Sequence, residues 1–148
     1  MKKKVKVIAY ITKREKGKRK LLVNLHRDFP DAGLQVPSGT VEENESIEEA
    51  LFREVYEETG IKSVILIGKL HEYIYFYSPR NEYHHRHIYH MEVQNCPQQF
   101  THIVKSADED DGIVLEYFWM DINEAREKLA VNQGDFLHLL LKDEIKYV

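Results

Sequence analysis

The sequence has little cysteine and no long hydrophobic run, and both shortages limit what the protein can be. Cys96 is its only cysteine, so no disulfide can form within the chain, and we expect a reducing, cytoplasmic environment. The basic start Lys2–Lys4 precedes an apolar stretch, residues 5–11, that Lys6 interrupts. We therefore expect neither an export signal nor a membrane span, and no membrane partner.

Glycine-rich phosphate motifs and a large excess of one charge are also missing. No GxGxxG follows a predicted strand and no Walker A motif is present, which excludes a dinucleotide-binding Rossmann fold and a P-loop. The net charge of −4 argues against a dedicated nucleic-acid-binding protein, but not against a small anionic substrate bound through a metal. From the length of 148 residues we expect one domain spanning 1–148, as a monomer or a homodimer.

The most informative stretch runs from Gly39 to Ile61, and its local signals predict a helix over residues 47–59. Ser46 is a favourable N-cap, and Glu49 three residues later completes a capping box. Gly60 suits the left-handed residue that follows the last turn of many helices. Both ends of the helix are therefore specified by the sequence itself.

Three glutamates crowd the end of this predicted helix. Glu54, Glu57 and Glu58 are at positions i, i+3 and i+4, so they share one face. They also occupy the last turn, where the helix macrodipole is negative and cations are preferred. Arg53 can pair with Glu57 but offsets only part of the repulsion. A solvated acidic face is one interpretation; a bound hard cation, Mg²⁺ or Mn²⁺, explains the crowding better.

The fixed residues of this stretch resemble the complete signature of the Nudix hydrolase family. They are Gly39, Glu45 and the run Arg53-Glu54-Val55-x-Glu57-Glu58-x-Gly60-Ile61. One departure is that Ser38 precedes Gly39, where the family often has two glycines. The resemblance implies an α/β fold, the Nudix-type α/β/α sandwich with a mixed central sheet. It also implies a pyrophosphohydrolase that uses Mg²⁺ or Mn²⁺ and attacks phosphorus with water, cleaving a diphosphate linkage in a nucleoside diphosphate-X type substrate.

The resemblance also implies roles for the matching residues. Glu54, Glu57 and Glu58 would bind the cation, together with the backbone carbonyl of Gly39. Glu54 or Glu57 would accept the proton of the attacking water, unless a carboxylate outside the motif does so. Arg53 would orient Glu57, which makes Glu54, Glu57 and Arg53 the candidate catalytic residues of the motif.

Many Nudix enzymes are similar in drawing a further carboxylate from a loop outside the motif, and the sequence offers two candidates. Glu116 lies on a predicted last strand, residues 113–120, and a rigid strand suits a group that must be held in place. The run Asp108–Asp111 lies in residues 94–112, which we expect to form an irregular, mobile loop suited to a lid or a late-arriving base. We assign Glu116 to catalysis as the positioning group; a surface acid is the alternative.

The rest of the chain predicts strands and two further helices. A strand with tyrosines on one face and apolar residues on the other, residues 70–78, is expected to be central in the sheet. The helices are expected to begin after Asp121 and Asp135. Other predicted extended segments are residues 5–12, 21–25, 34–36, 64–68 and 83–93.

Four histidines fall within the strand that returns from the predicted hairpin. His85 and His87 should face one way, and His84 and His90 the other. No cysteine or acid shows metal-site spacing within this segment, so we do not predict a zinc site there. Arg86 or His87 is a candidate for contact with substrate; the alternative is that the strand has no special role.

Two other functions remain open on the same fold. A non-catalytic ligand-sensing module is the first alternative, although such modules usually have a degraded acidic motif and this one is whole. An isomerase of the isopentenyl diphosphate type is the second, but it needs a suitably placed cysteine, and Cys96 lies far downstream of the signature. The sequence indicates a small phosphorylated, nucleotide-like substrate without identifying it, and we do not expect a nucleic-acid partner.

Overall fold

The computed structural model describes residues 2–141, 145, 147 and 148. Within these residues the chain forms seven strands, two α-helices and three short 3₁₀ segments. The strands are β1 (Lys2–Glu15), β2 (Lys18–His26), β3 (Ser38–Thr40), β4 (Ile65–Tyr77), β5 (Glu82–Glu92), β6 (Gln99–Ile103) and β7 (Val114–Asp121). The helices are α1 (Ile47–Thr59) and α2 (Ile122–Lys128), and the 3₁₀ segments are Pro30–Ala32, Ser78–Arg80 and Leu137–Leu141.

These strands form one mixed sheet. Its order is β4-β5-β1-β2-β7-β6, with β3 paired to β1 beside this path. Strands β1 and β5 are parallel, and the other pairs are antiparallel. The predicted mixed central sheet is therefore confirmed.

Each face of the sheet is covered by a helix, because alternate strand residues supply two separate cores. On one face, Leu51 and Val55 of α1 pack with Ala9 of β1. On the other, Ala125 of α2 packs with Tyr10 of β1. The predicted α/β/α arrangement follows from these two layers, and truncating a core side chain such as Leu51 to alanine would cost about 2–5 kcal/mol of stability.

The separation of β1 from β2 creates the opening in which the signature loop lies. The two strands pair near their hairpin, and farther along, residues 35–40 lie between them. Gln35 exchanges two backbone hydrogen bonds with Asn24 of β2. Gly39 is the register partner of Val7 in β1. The signature glycine is therefore fixed within the sheet, on the side that α1 approaches.

Strand β4 lies at the edge of the sheet, so its predicted central position is wrong. The two predicted extended segments form one strand with two register shifts. Ile74 and Phe76 are 53% and 43% exposed, whereas the three tyrosines on the other face are half-buried. The apolar and aromatic residues on both faces of this strand led us to predict that both faces are buried. In the structure, only the face that carries the tyrosines is partly buried along residues 73–77.

The sequence predicted an irregular loop over residues 94–112. The structure differs, because this segment contains strand β6, which pairs with β7. Only Phe100 and His102 of this strand are partly buried, so its apolar signal in the sequence is weak. The acidic run that follows forms turns.

The helix predicted to begin after Asp135 is not an α-helix in the described residues. A 3₁₀ segment, Leu137–Leu141, stands where that helix was expected to begin; Leu137 and Leu140 are buried as predicted, whereas Leu141 is 43% exposed. Residues 142–144 and 146 lie outside the described residues. Among the described residues, neither helix is both long and apolar enough to cross a bilayer.

Candidate active site

Helix α1 has the predicted ends, and both predicted caps are present. The Ser46 side chain accepts a hydrogen bond from the Glu49 amide at 3.0 Å, and Glu49 accepts one from the Ser46 amide at 2.9 Å. Gly60 is left-handed, with φ 75°, and its amide donates to the carbonyl of Tyr56. Because both ends are fixed, the acids of the last turn have defined positions.

Gly39 lies directly against Glu54. A Cβ built on Gly39 would overlap the Glu54 carboxylate, so only glycine allows β3 and α1 to approach this closely. Glu54 is 7% exposed, and burial raises its pKa to about 7 although Arg53 opposes the shift. This carboxyl can therefore exchange between its neutral and charged forms near neutral pH.

Arg53 connects the acids of the signature. Its guanidinium donates two hydrogen bonds to Glu45, from Nε at 2.6 Å and from Nη2 at 2.9 Å. Its Nη1 donates to Glu54 at 2.9 Å and to Glu57 at 3.2 Å, and Nη2 also reaches the Thr40 carbonyl at 2.9 Å. One side chain thus orients three carboxylates and anchors them to the signature loop.

The charged forms of Glu57 and Glu58, the last two glutamates of the motif, are also disfavoured by their surroundings. Burial raises the pKa of Glu57, and it raises that of Glu58 well above the usual range with a further contribution from the Glu54 charge. Glu58 accepts a hydrogen bond from the Ser38 amide at 3.3 Å. Within the part of the chain that the structure describes, these three glutamates do not form a group of ligand atoms lying within 4.8 Å of one another. Arg53 holds two of them, and the third turns to the loop.

An open cavity of about 310 Å³ lies beside α1 and is partly lined by Glu54 and Glu58. Asp108 and Asp110 of the acidic loop also line it. Burial is the main cause that raises the pKa of Glu54 and of Glu58, and the charges of Asp108 and Asp110 respectively add to it. The fold therefore brings the acidic loop to the signature helix.

Glu116 lies elsewhere. Its strand neighbours Leu115 and Tyr117 pack on the α1 side, and the Tyr117 hydroxyl donates to the Glu58 carbonyl at 2.9 Å. Side chains alternate along a strand, so Glu116 faces the opposite side. There its side chain is 50% exposed and pairs with Arg27 at 3.4 Å. The structure does not bring Glu116 together with the glutamates of α1.

Two basic residues on neighbouring strands add positive charge to the same region. Lys6 lines the cavity and donates to the Thr40 hydroxyl at 2.7 Å; burial is the main cause that lowers its pKa. Its register partner Arg86 lines an adjoining cavity that shares Lys6, and stacks over the Tyr75 ring at 3.7 Å. The sequence named Arg86 as a candidate, but Lys6 was noticed only as a break in an apolar stretch.

Family membership follows from comparison with known proteins. A family model described as the NUDIX domain matches residues 2–140. The chain belongs to the NUDIX family. This agrees with the geometry around Gly39 and with the motif from which the resemblance was drawn.

The curated relatives of this Nudix chain match it over a limited region. It is 38% identical over 63 residues to an RNA pyrophosphohydrolase of Bartonella tribocorum, which covers 42% of this chain and 36% of that protein. It is 43% identical over 54 residues to an RNA pyrophosphohydrolase of Caulobacter vibrioides, covering 36% of this chain and 31% of that protein. The match therefore spans about a third of the length of these relatives.

Solved structures resemble the Nudix chain over most of its length. A NUDIX hydrolase from Nitrosomonas europaea has a TM-score of 0.70 and 24% identity, covering 99% of this chain and 93% of that one. A MutT protein from Methanosarcina mazei Go1 has a TM-score of 0.66 and 21% identity, covering 93% and 91%. An Ap4A hydrolase of C. elegans has a TM-score of 0.64 and 18% identity, covering 91% and 93%. At these identities the likeness confirms the fold alone.

Proposed function

We propose that the protein is a divalent-metal-dependent hydrolase that cleaves a diphosphate linkage by attack of water on phosphorus. The observation that carries the proposal is the arrangement around the cavity beside α1. Glu54, Glu58 and the acidic loop supply negative charge on its walls, and Lys6 and Arg86 supply positive charge beside them. A cation and a phosphate chain need such adjoining surfaces of opposite sign.

The residues around Gly39 fit a hard divalent cation. Carboxylate oxygens are the ligands that Mg²⁺ and Mn²⁺ prefer, and Glu54, Glu57 and Glu58 offer them on one helix end. Burial raises the pKa of all three, which means that their charged forms are unfavourable in the folded protein. A bound cation would stabilise those charged forms. The Gly39 carbonyl stays a predicted ligand. When bound, the cation would offset phosphate charge and make the attacking water more acidic.

The chain's own groups have separate tasks in this proposal. Glu54 is the candidate proton acceptor, because its carboxylate lines the cavity in which the diphosphate would lie; Glu57 is the alternative. Arg53 holds both carboxylates in place through its Nη1 atom. Lys6 and Arg86 would bind the phosphate chain, where charge increases during the reaction.

For the carboxylate outside the signature, we propose Asp108 and Asp110, because they line the cavity with Glu54. Glu116, the residue assigned from sequence, is the competing candidate. The test compares turnover of Asp108→Asn/Asp110→Asn with that of Glu116→Gln. We expect a large fall in the loop variant and near-normal turnover in Glu116→Gln; a large fall in Glu116→Gln alone would contradict this choice.

The substrate class is a nucleoside diphosphate linked to another group. Since both curated relatives are RNA pyrophosphohydrolases, RNA with a terminal diphosphate or triphosphate is the second candidate. The test is a panel containing nucleoside diphosphate conjugates, dinucleoside polyphosphates and triphosphorylated RNA, assayed with Mg²⁺, with Mn²⁺ and with EDTA. Release of phosphate, pyrophosphate or nucleoside monophosphate only in the presence of metal is expected. Full activity in EDTA would exclude the mechanism.

The same panel separates the remaining alternatives. A ligand-sensing module would bind a panel compound without cleaving it. An isomerase would need Cys96 at the reaction centre, but this residue packs beside the core under α1 and is not among the residues that line the cavity. A single domain, a cytoplasmic location and a monomeric or homodimeric state stay predictions.

A further inference from the structure

A second cluster of potential metal ligands lies on the hairpin formed by β4 and β5. Glu72 is the register partner of His87, and His85 lies two residues earlier on the same face of β5. One ligand atom from each residue lies within 4.8 Å of those of the other two. Among the residues that the structure describes, this is the one group of three or more His, Cys, Asp or Glu side chains with that property.

The distances in the cluster match the size of a metal ion. Glu72 Oε2 lies 2.7 Å from His85 Nε2 and 3.8 Å from His87 Nδ1. Ligand atoms of a tetrahedral zinc ion are about 3.4 Å apart, since each bond is about 2.1 Å long. The observed separations lie on either side of that value, so small side-chain rotations would bring all three groups to coordination distance.

His87 provides independent evidence that something binds here. The residue is 4% exposed, and its Nδ1 atom is buried with no hydrogen-bond partner in the described chain. Buried ring nitrogens are normally paired, because leaving one unpaired is costly. A cation held between His87 and Glu72 would give this nitrogen the partner that the protein does not supply.

The surroundings of Glu72 and His87 favour the charge states that metal ligands need. Lys69 donates to Glu72 Oε1 at 2.9 Å, and together with His85 it lowers the pKa of Glu72 to about 2. Oε2 stays directed at the histidines. Burial lowers the pKa of His87, which favours the neutral ring that can offer a lone pair to a metal.

The cluster does not belong to the proposed active site, because none of Glu72, His85 and His87 lines the cavity beside α1 or the adjoining one. His85 and His87 lie on the face of β5 that also carries Tyr89, which packs with α1. His84 and Arg86 lie on the other face and line the cavity shared with Lys6. A metal at the histidine cluster would therefore lie outside the surfaces proposed to bind substrate.

We propose that Glu72, His85 and His87 form a second metal site, which takes a late first-row transition metal and Zn²⁺ in particular. Two imidazoles and one carboxylate suit Zn²⁺, whereas the oxygen-only acids of α1 suit Mg²⁺ or Mn²⁺. Glu72 lies on the edge strand and is exposed, so a fourth coordination position can hold water. The bound ion ties the edge strand β4 to β5.

The test is Zn²⁺ binding by titration calorimetry, with excess Mg²⁺ present to occupy the acidic site. We expect one Zn²⁺ per chain for the wild type, and affinity at least about tenfold lower for both Glu72→Gln and His85→Asn. These two side chains are exposed or half-buried, so the variants should fold normally, which circular dichroism checks. Zn²⁺ should also raise the Tm of the wild type but not of either variant.

The matched control is His138→Asn, which removes a histidine outside the cluster that contacts the Asp135 carbonyl. It should bind Zn²⁺ as the wild type does. Unchanged Zn²⁺ affinity in Glu72→Gln and His85→Asn, or absence of Zn²⁺ binding by the wild type, would overturn the proposal. Hydrolysis with Mg²⁺ should persist in both cluster variants, so failure of this site is distinguishable from failure of the proposed function.

Discussion

Replacing Glu54 by glutamine should stabilise the metal-free protein at alkaline pH. The Glu54 carboxyl is buried against Gly39, and its partner Arg53 is shared with Glu45 and Glu57. Glutamine has nearly the same shape, and its carbonyl oxygen can still accept the hydrogen bond from Arg53. The substitution therefore removes the buried charge and retains most of the packing.

The size and sign of the effect follow from the raised pKa of Glu54. Burial moves this pKa from 4.5 to about 7, so between these values the folded protein binds more protons than the unfolded chain. Stability consequently falls as the pH rises through that window. A shift of this size corresponds to about 3 kcal/mol once the group is fully charged. The glutamine variant escapes that penalty above pH 7 and gains nothing below pH 4.5.

The measurement is urea unfolding in EDTA at several pH values from about 5.5 to about 8.5, which bracket the raised pKa of about 7. The free energy of unfolding of Glu54→Gln minus that of wild type should become more positive as the pH rises. Taking this difference removes the contribution of groups that titrate in both proteins. A difference that does not depend on pH would refute the reasoning.

Glu45→Gln is the matched control, because it removes another carboxylate bound by Arg53. In the wild type, the hydrogen bonds that Arg53 donates to Glu45 are the main cause that lowers the pKa of Glu45. Glu45 is therefore ionised in both the folded and unfolded states across this pH range. The variant should be destabilised by a constant amount. A pH-dependent gain like that of Glu54→Gln would show that the trend has another origin.

Three further predictions concern the same site. Gly39→Ala should reduce turnover by about 10²-fold, because the new Cβ displaces the Glu54 carboxylate; steady-state kinetics with Mg²⁺ check this, and normal turnover would contradict the close approach. Arg53→Lys should destabilise the protein by about 1.5–3 kcal/mol in urea unfolding, since lysine cannot replace the paired hydrogen bonds to Glu45; unchanged stability would count against this role. Glu57→Gln should weaken Mg²⁺ or Mn²⁺ binding by at least about tenfold in calorimetry, and unchanged affinity would remove Glu57 from the proposed ligands.

The features that the sequence specified correctly are local ones. Helix α1 begins and ends where predicted because Ser46, Glu49 and Gly60 act on backbone groups within a few residues of themselves. The facing of His85 and His87 was correct for the same reason, since alternation along a strand is a local property. Each of these inferences needed only the geometry of one element.

The features that the sequence missed depend on how distant elements meet. Strand β4 has apolar residues on both faces, but only the sheet order shows that it is an edge. Glu72 became a neighbour of His87 through strand pairing, so no spacing within the histidine segment could show the cluster. Asp108 reaches the cavity beside Glu54 through the path of its loop, which no periodic pattern encodes.

Arg53 would allow the crowded end of α1 to accept the proposed cation without losing its own anchors. Its Nε and Nη2 atoms are fixed by Glu45 and by the Thr40 carbonyl, and neither of these two residues belongs to the last turn of α1. Only Nη1 contacts Glu54 and Glu57. A cation that binds these two carboxylates therefore competes with one nitrogen of Arg53 and leaves its anchoring contacts intact. The guanidinium would then remain in place while the carboxylates turned toward the metal, so the loop and helix would not have to rearrange.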